Sequence, residues 1–217
     1  MIEWLALILL VPAVLFPIVL LFGFAGCNQI YGLDPTTVAP QTTFETPLGQ
    51  DRLRANRCIV QRIEAGRLTA GGSLVQITVQ RPETGLLQIV SLFGSQAANE
   101  TDPSADPYDS AADLTPVPGV PLTLTPDATQ PLVELPAFDY ALDHDRALLI
   151  AFDLGEDARV PRTDDTVPTF DATAFLGPLP PPPPGLPIQE ASLPDPQSGY
   201  ETESRIYLVQ RIAVSSP

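Results

Sequence analysis

The first twenty-six residues, MIEWLALILLVPAVLFPIVLLFGFAG, carry one charge, Glu3, and are otherwise almost wholly apolar. As a helix, residues 4–26 extend about 35 Å, enough to cross the hydrocarbon core of a bilayer with modest tilt. Trp4 marks one edge of the stretch; Phe22, Phe24 and Tyr31 lie toward the other, as an interfacial aromatic belt does. Pro12 and Pro17 are expected to kink the helix, which membrane helices tolerate when neighbours take up the freed carbonyls. Residues 1–27 are therefore read as a membrane anchor in contact with lipid.

A secretory signal peptide has a basic start and an apolar core of about 7–15 residues. Here the start is acidic and the core is longer, so the span is expected to stay uncleaved. No arginine follows the span until Arg52, so flanking charge says little about orientation. The acidic, β-rich remainder is expected to lie outside the cytoplasm, in a periplasm or at a cell surface.

Cys27 sits where apolar sequence gives way to polar sequence. It admits three readings: first the edge of an uncleaved span, second a lipid-bearing residue, third a disulfide with Cys58. The disulfide needs an oxidising compartment. FAGC, residues 24–27, resembles the lipobox of bacterial lipoproteins. Ala25 and Gly26 match its small residues; Phe24 stands where that motif has an aliphatic one. That resemblance implies lipidation of Cys27. The start also resembles the N-terminal helix of type IV pilins and TadE-like pseudopilins, with Glu3, Pro12 and Pro17 in the places of their glutamate and proline. That second resemblance implies a filament subunit.

Net charge is −15, with eleven arginines and no lysine. Nucleic-acid affinity comes from cationic neutralisation of phosphates, so no nucleic-acid partner is expected. An anionic membrane surface repels such a domain as well. Without lysine there is no P-loop and no Schiff base. With His144 as the single histidine there is no multi-histidine metal site, and Cys27 and Cys58 form no C-x-x-C. No cofactor is expected.

Beyond the anchor, residues 28–51 read as a stalk rich in Thr, Pro and Gly. Residues 52–217 then carry short β-type runs between turn residues: 57–64, 74–80, 86–93, 120–125, 131–140, 147–154, 166–175 and 205–214. The fold class is mainly β: an N-terminal transmembrane helix followed by an antiparallel β-sandwich or jelly roll. Val75, Ile77 and Val79 share one face. ALLIAFDL, 147–154, is apolar on both faces and belongs at the centre. RIYLVQRIAV, 205–214, places Ile206, Leu208, Ile212 and Val214 at period-two spacing, and its likeness to IVQRIEA, 59–65, makes that strand its expected neighbour. Two insertions break the rhythm: an acidic loop, 94–119, and a proline-rich segment, 177–204, whose run at 180–184 forms a stiff spacer. The strand run from Arg57 to Leu154 resembles β-sandwich domains on bacterial surface proteins and lipoproteins, some of which bind carbohydrate.

Few residues invite chemistry. Asp143 and Asp145 flank His144, yet neighbours on a strand face opposite ways and no G-x-S-x-G accompanies them, so a surface turn is expected. Asp102, Asp106, Asp109 and Asp113 lack calcium-loop spacing and read as a solvated loop. No catalytic or metal-binding residue is expected. The functional expectation is a non-enzymatic structural or interaction subunit. A single-pass anchor carries its acidic domain in a larger membrane or surface assembly, with other protein subunits or further copies of itself. The alternatives are a surface lipoprotein module that binds a ligand such as a glycan, and a pilin-like filament subunit.

Overall fold

Strands form where leucine, β-branched and aromatic residues run between glycine, proline and aspartate turns. The computed structural model describes residues 39–98, 113–164, 172–178 and 201–216. Along the chain these give β1 (Gln41–Glu45), β2 (Gln50–Leu53), β3 (Arg57–Ile63), β4 (Gly72–Gln80) and β5 (Leu87–Gln96). There follow β6 (Thr115–Pro116), β7 (Leu122–Leu124), β8 (Leu132–Glu134), β9 (Phe138–Leu142) and β10 (Leu148–Leu154). The last are β11 (Arg159–Arg162), β12 (Ala172–Pro178), β13 (Glu201–Glu203) and β14 (Val209–Ser215).

Among the described residues the strands make one sheet in the order β1-β14-β4-β8, with β9 also on β4, and a second in the order β13-β12-β3-β10-β5-β6, with β7 also on β5. A separate ribbon pairs β2 with β11. Every pairing between these strands is antiparallel. The fold is mainly β, with helix limited among the described residues to one 3-10 turn at Ala65–Arg67. No helix among them is long and apolar enough to cross a membrane. Trp4, Pro12, Pro17, Phe22 and Cys27 lie outside the described residues.

β10 is central, as its two-faced apolarity predicts. It lies between β3 and β5, and all seven of its residues are buried. Leu148, Ile150, Phe152 and Leu154 join a cluster with Ile59 and Ile63 of β3 and Leu92 of β5. Val75, Ile77 and Val79 of β4 and Ile212 and Val214 of β14 belong to the same cluster, so the two sheets share one core. On the other face of β10, Leu149 and Ala151 pack with Val60, against Cys58, Phe93 and Leu114.

The C-terminal strand departs from expectation. β14 pairs with β1 and β4, whereas the expected partner at 59–65 pairs with β10 and β12. The cause lies in residues 206–208. Thr163 N–H donates to Ile206 C=O, and Leu208 N–H donates to Pro161 C=O, so this segment first runs beside β11. Leu208 then takes a φ of +62°, a left-handed backbone costly for leucine. Its C=O accepts the Gln80 N–H, so a bond on each side holds it there. The turn, and a register shift between Val209 and Arg211, interrupt the strand, yet Ile206, Leu208, Ile212 and Val214 all join the one core cluster. The echoed arginines also differ: Arg62 is buried beside Glu64, and Arg211 is half exposed beside Glu134.

Ordered strand begins earlier than the Arg52 boundary. β1 and the first half of β2 fall inside the segment read as stalk, because Thr42, Thr43 and Phe44 suit an extended edge and Thr43 and Phe44 are buried. Of the two insertions, 99–112 and 179–200 lie outside the described residues. The described parts include strand: β5 reaches Gln96, β6 spans Thr115–Pro116, β12 ends at Pro178 and β13 spans Glu201–Glu203.

Truncating β10 on either face leaves a cavity that close-packed neighbours cannot fill. Leu149→Ala and Ile150→Ala are each expected to destabilise the protein by about 2–5 kcal/mol in denaturant unfolding. Near-neutral values for both place the core elsewhere.

Candidate functional site

Antiparallel pairing sorts the loops to two ends. Gln41 of β1 lies opposite Val214 of β14, and Leu74 opposite Ser215, so the described chain enters and leaves at one end. Residues 64–71, 97–98, 113–114 and 143–147 share that end; 81–86, 125–131 and 155–158 lie at the other.

At the entry end Asp113 is drawn into the fold. Its Oδ2 accepts the Tyr140 hydroxyl at 2.6 Å, its Oδ1 accepts the Ser95 hydroxyl, and the same Oδ1 accepts Gln96 N–H at 3.3 Å. The expectation of a solvated aspartate is corrected at this position; Asp102, Asp106 and Asp109 lie outside the described residues. Burial, then the Asp113 bond, push the Tyr140 phenol up. Gln96 Nε2 donates to Asp143 C=O at 2.6 Å and its Oε1 accepts Asp143 N–H, fixing the next turn. His144 and Asp145 occupy that turn, as expected, and Asp143 Oδ1 accepts Asp145 N–H. Asp143, His144 and Asp145 can bring three ligand atoms within 4.8 Å of one another, but all three are exposed.

On the outer face of the second sheet, cross-strand pairing puts Asp153 between Cys58 and Ser91. Ser91 donates to Asp153 Oδ2 at 2.6 Å. Cys58 is a free thiol, and burial first, then the nearby Asp153 charge, pushes its pKa far up. Such a thiol stays protonated and is a poor nucleophile. Burial also raises the Asp153 carboxyl, against bonds from Ser91 and Cys58 that lower it.

A third polar group fastens the C-terminal return. Glu203 bridges Arg54 and Arg162 and accepts the hydroxyl of fully buried Tyr207 at 2.5 Å. Tyr207 N–H donates to Gln61 Oε1 at 2.9 Å, tying the segment to β3.

The cleft lies at the opposite end. Gln80, Arg81, Pro82 and Glu83 face Pro126, Asp127, Ala128 and Pro131 across about 320 Å³. Arg81 joins its walls: its N–H donates to Pro131 C=O at 2.7 Å and its Nη1 to Thr125 C=O at 3.2 Å. Asp127 Oδ1 accepts the hydroxyl and N–H of Thr129 and the N–H of Gln130. These bonds, helped by the Arg81 charge, hold its carboxyl below the usual range. Thr84 N–H donates to Asp51 at 2.8 Å, binding the cleft loop to the ribbon. The sequence signals for this site are RPETG and TPDATQP, which announce turns and not that the two turns meet. No family model matches the chain, and no curated protein matches it either.

Asp153 titrates with a defined sign. A raised carboxyl binds its proton more tightly folded than unfolded. Its contribution to stability is present below the unfolded pKa and is lost as pH rises through the folded one. Asp153→Asn removes that titration and keeps an acceptor for Ser91. The variant's thermal midpoint is expected to gain on the wild type as pH rises from acid to neutral. A difference that stays constant with pH contradicts this assignment.

Proposed function

We propose that this chain is a membrane-anchored, non-enzymatic interaction subunit. Residues 4–26 span a bilayer, and the two sheets pack as a β-sandwich of jelly-roll type outside the cytoplasm. The domain serves an assembly of other protein subunits or of further copies of the chain. The observation that carries the reading is the apolar run itself: some 23 uninterrupted residues hold a membrane unaided. The use of polar groups supports the interaction role. Asp113 holds Tyr140 and Ser95, Glu203 holds Arg54, Arg162 and Tyr207, and Asp153 holds Ser91. Each fastens one strand or loop to another. The charge of −15 keeps an exposed domain soluble and favours cationic partners.

Cys27 separates a helical anchor from a lipid one. A single acyl chain binds membranes only marginally, whereas a span of this length does not need it. Cys27→Ser is expected to leave carbonate-resistant membrane association intact, and intact mass is expected to change only by the substitution. Accumulation of the variant as a precursor heavier than the wild-type protein establishes lipidation in its place.

A further inference from the structure

We infer that the cleft at the loop end is the partner-docking site of this subunit and receives a cationic side chain, arginine or lysine, from another protein. Three observations converge. The first is position, and it rests on the anchored-subunit reading. β1 begins and β14 ends at one end of the domain, and the cleft lies at the other. The cleft end is thus clear of both ends of the described strand run.

The second observation is shape. About 320 Å³ is near the lower limit for ligand pockets, which suits one long side chain better than a cofactor. Pro82, Pro126 and Pro131 line it with rings that have no rotamer freedom to lose, and Arg81 braces the two loops through Pro131 and Thr125. A preformed cleft of this kind binds with little ordering cost. Its apolar walls match the methylene stem of arginine or lysine.

The third observation is charge. The lining carries Arg81 against Glu83 and Asp127. Arg81 faces Asp127, whose Oδ1 is already bonded to Thr129 and Gln130. Glu83 is exposed and is paired with no cation among the described residues. One negative charge is left over in a chain of net charge −15, so the cleft attracts a cation and the long-range field steers it there.

The test uses the full chain in phosphatidylcholine nanodiscs and saturation-transfer difference NMR on N-acetyl-arginine amide, with N-acetyl-citrulline amide as the uncharged match. Arginine amide is expected to bind saturably and more tightly than citrulline amide, with weakening at high salt. Glu83→Gln is expected to weaken arginine binding about two- to fivefold, the range for one solvent-exposed charge. Asp145→Asn, at the entry end, is expected to leave binding unchanged, with both variants keeping the wild-type unfolding midpoint. Equal binding of the two amides overturns the inference. So does equal loss in both variants, or no change on Glu83→Gln. Should the chain bind arginine amide but fail to remain with the lipid, the anchor reading falls and the cleft assignment stands.

Discussion

The fold depends on one late contact: the insertion of β14 between β1 and β4. β1, the first described strand, has β14 as its ladder partner. An early segment therefore cannot be placed in the sheet until a very late one is present. The core on the five-stranded side needs the same strand, since Ile212 and Val214 join Val75, Ile77 and Val79 in the shared cluster. Pairings of such long sequence separation carry a large loop-closure cost before any reward, which makes folding slow.

What prepares that insertion is the run Ile206–Leu208. It bonds to β11 through Pro161 and Thr163, and Glu203 and Gln61 hold Tyr207 from its two ends. A leucine in the left-handed region is tolerated because its N–H and C=O are taken by different elements, β11 and β4. The same segment thus links the ribbon, the second sheet and the first. The polar fasteners at the entry end are equally local: Asp113 and Gln96 fix two turns beside the point where the chain arrives and leaves. The opposite end keeps an open cleft, and the proposed division of labour follows: stiffening at one end, recognition at the other.

Much of this framework was legible in the residues. Alternation in LVQITVQ placed Val75, Ile77 and Val79 inward, and the unbroken apolarity of ALLIAFDL placed it between two other strands, because period-two burial is a local property. β11 was not legible: RVPR holds a proline and two arginines, and it is strand only because β2 lies beside it. β1 and β2 were hidden by the Thr, Pro and Gly around them. The partner of β14 is not legible, because the repeated QRI pattern points to β3 while the backbone turn at Leu208 leaves no trace in composition. Asp113 reads as one more acid in an acidic stretch until Tyr140 and Ser95 are brought to it. The cleft joins two turns some forty residues apart, and local turn chemistry does not say which turns meet. The anchor and Cys27 rest on the sequence alone.

Native-state hydrogen exchange of the intact protein tests the dependence on β14 most directly. The Ile212 and Ala213 amides of β14 and the Ile150 and Phe152 amides of β10 are expected to exchange with one common opening free energy, equal to that of global unfolding. Exchange of β14 at a distinctly lower free energy, with β3, β10 and β5 still protected, contradicts the account: the first sheet is then a separable layer, and the last strand does not lock the fold.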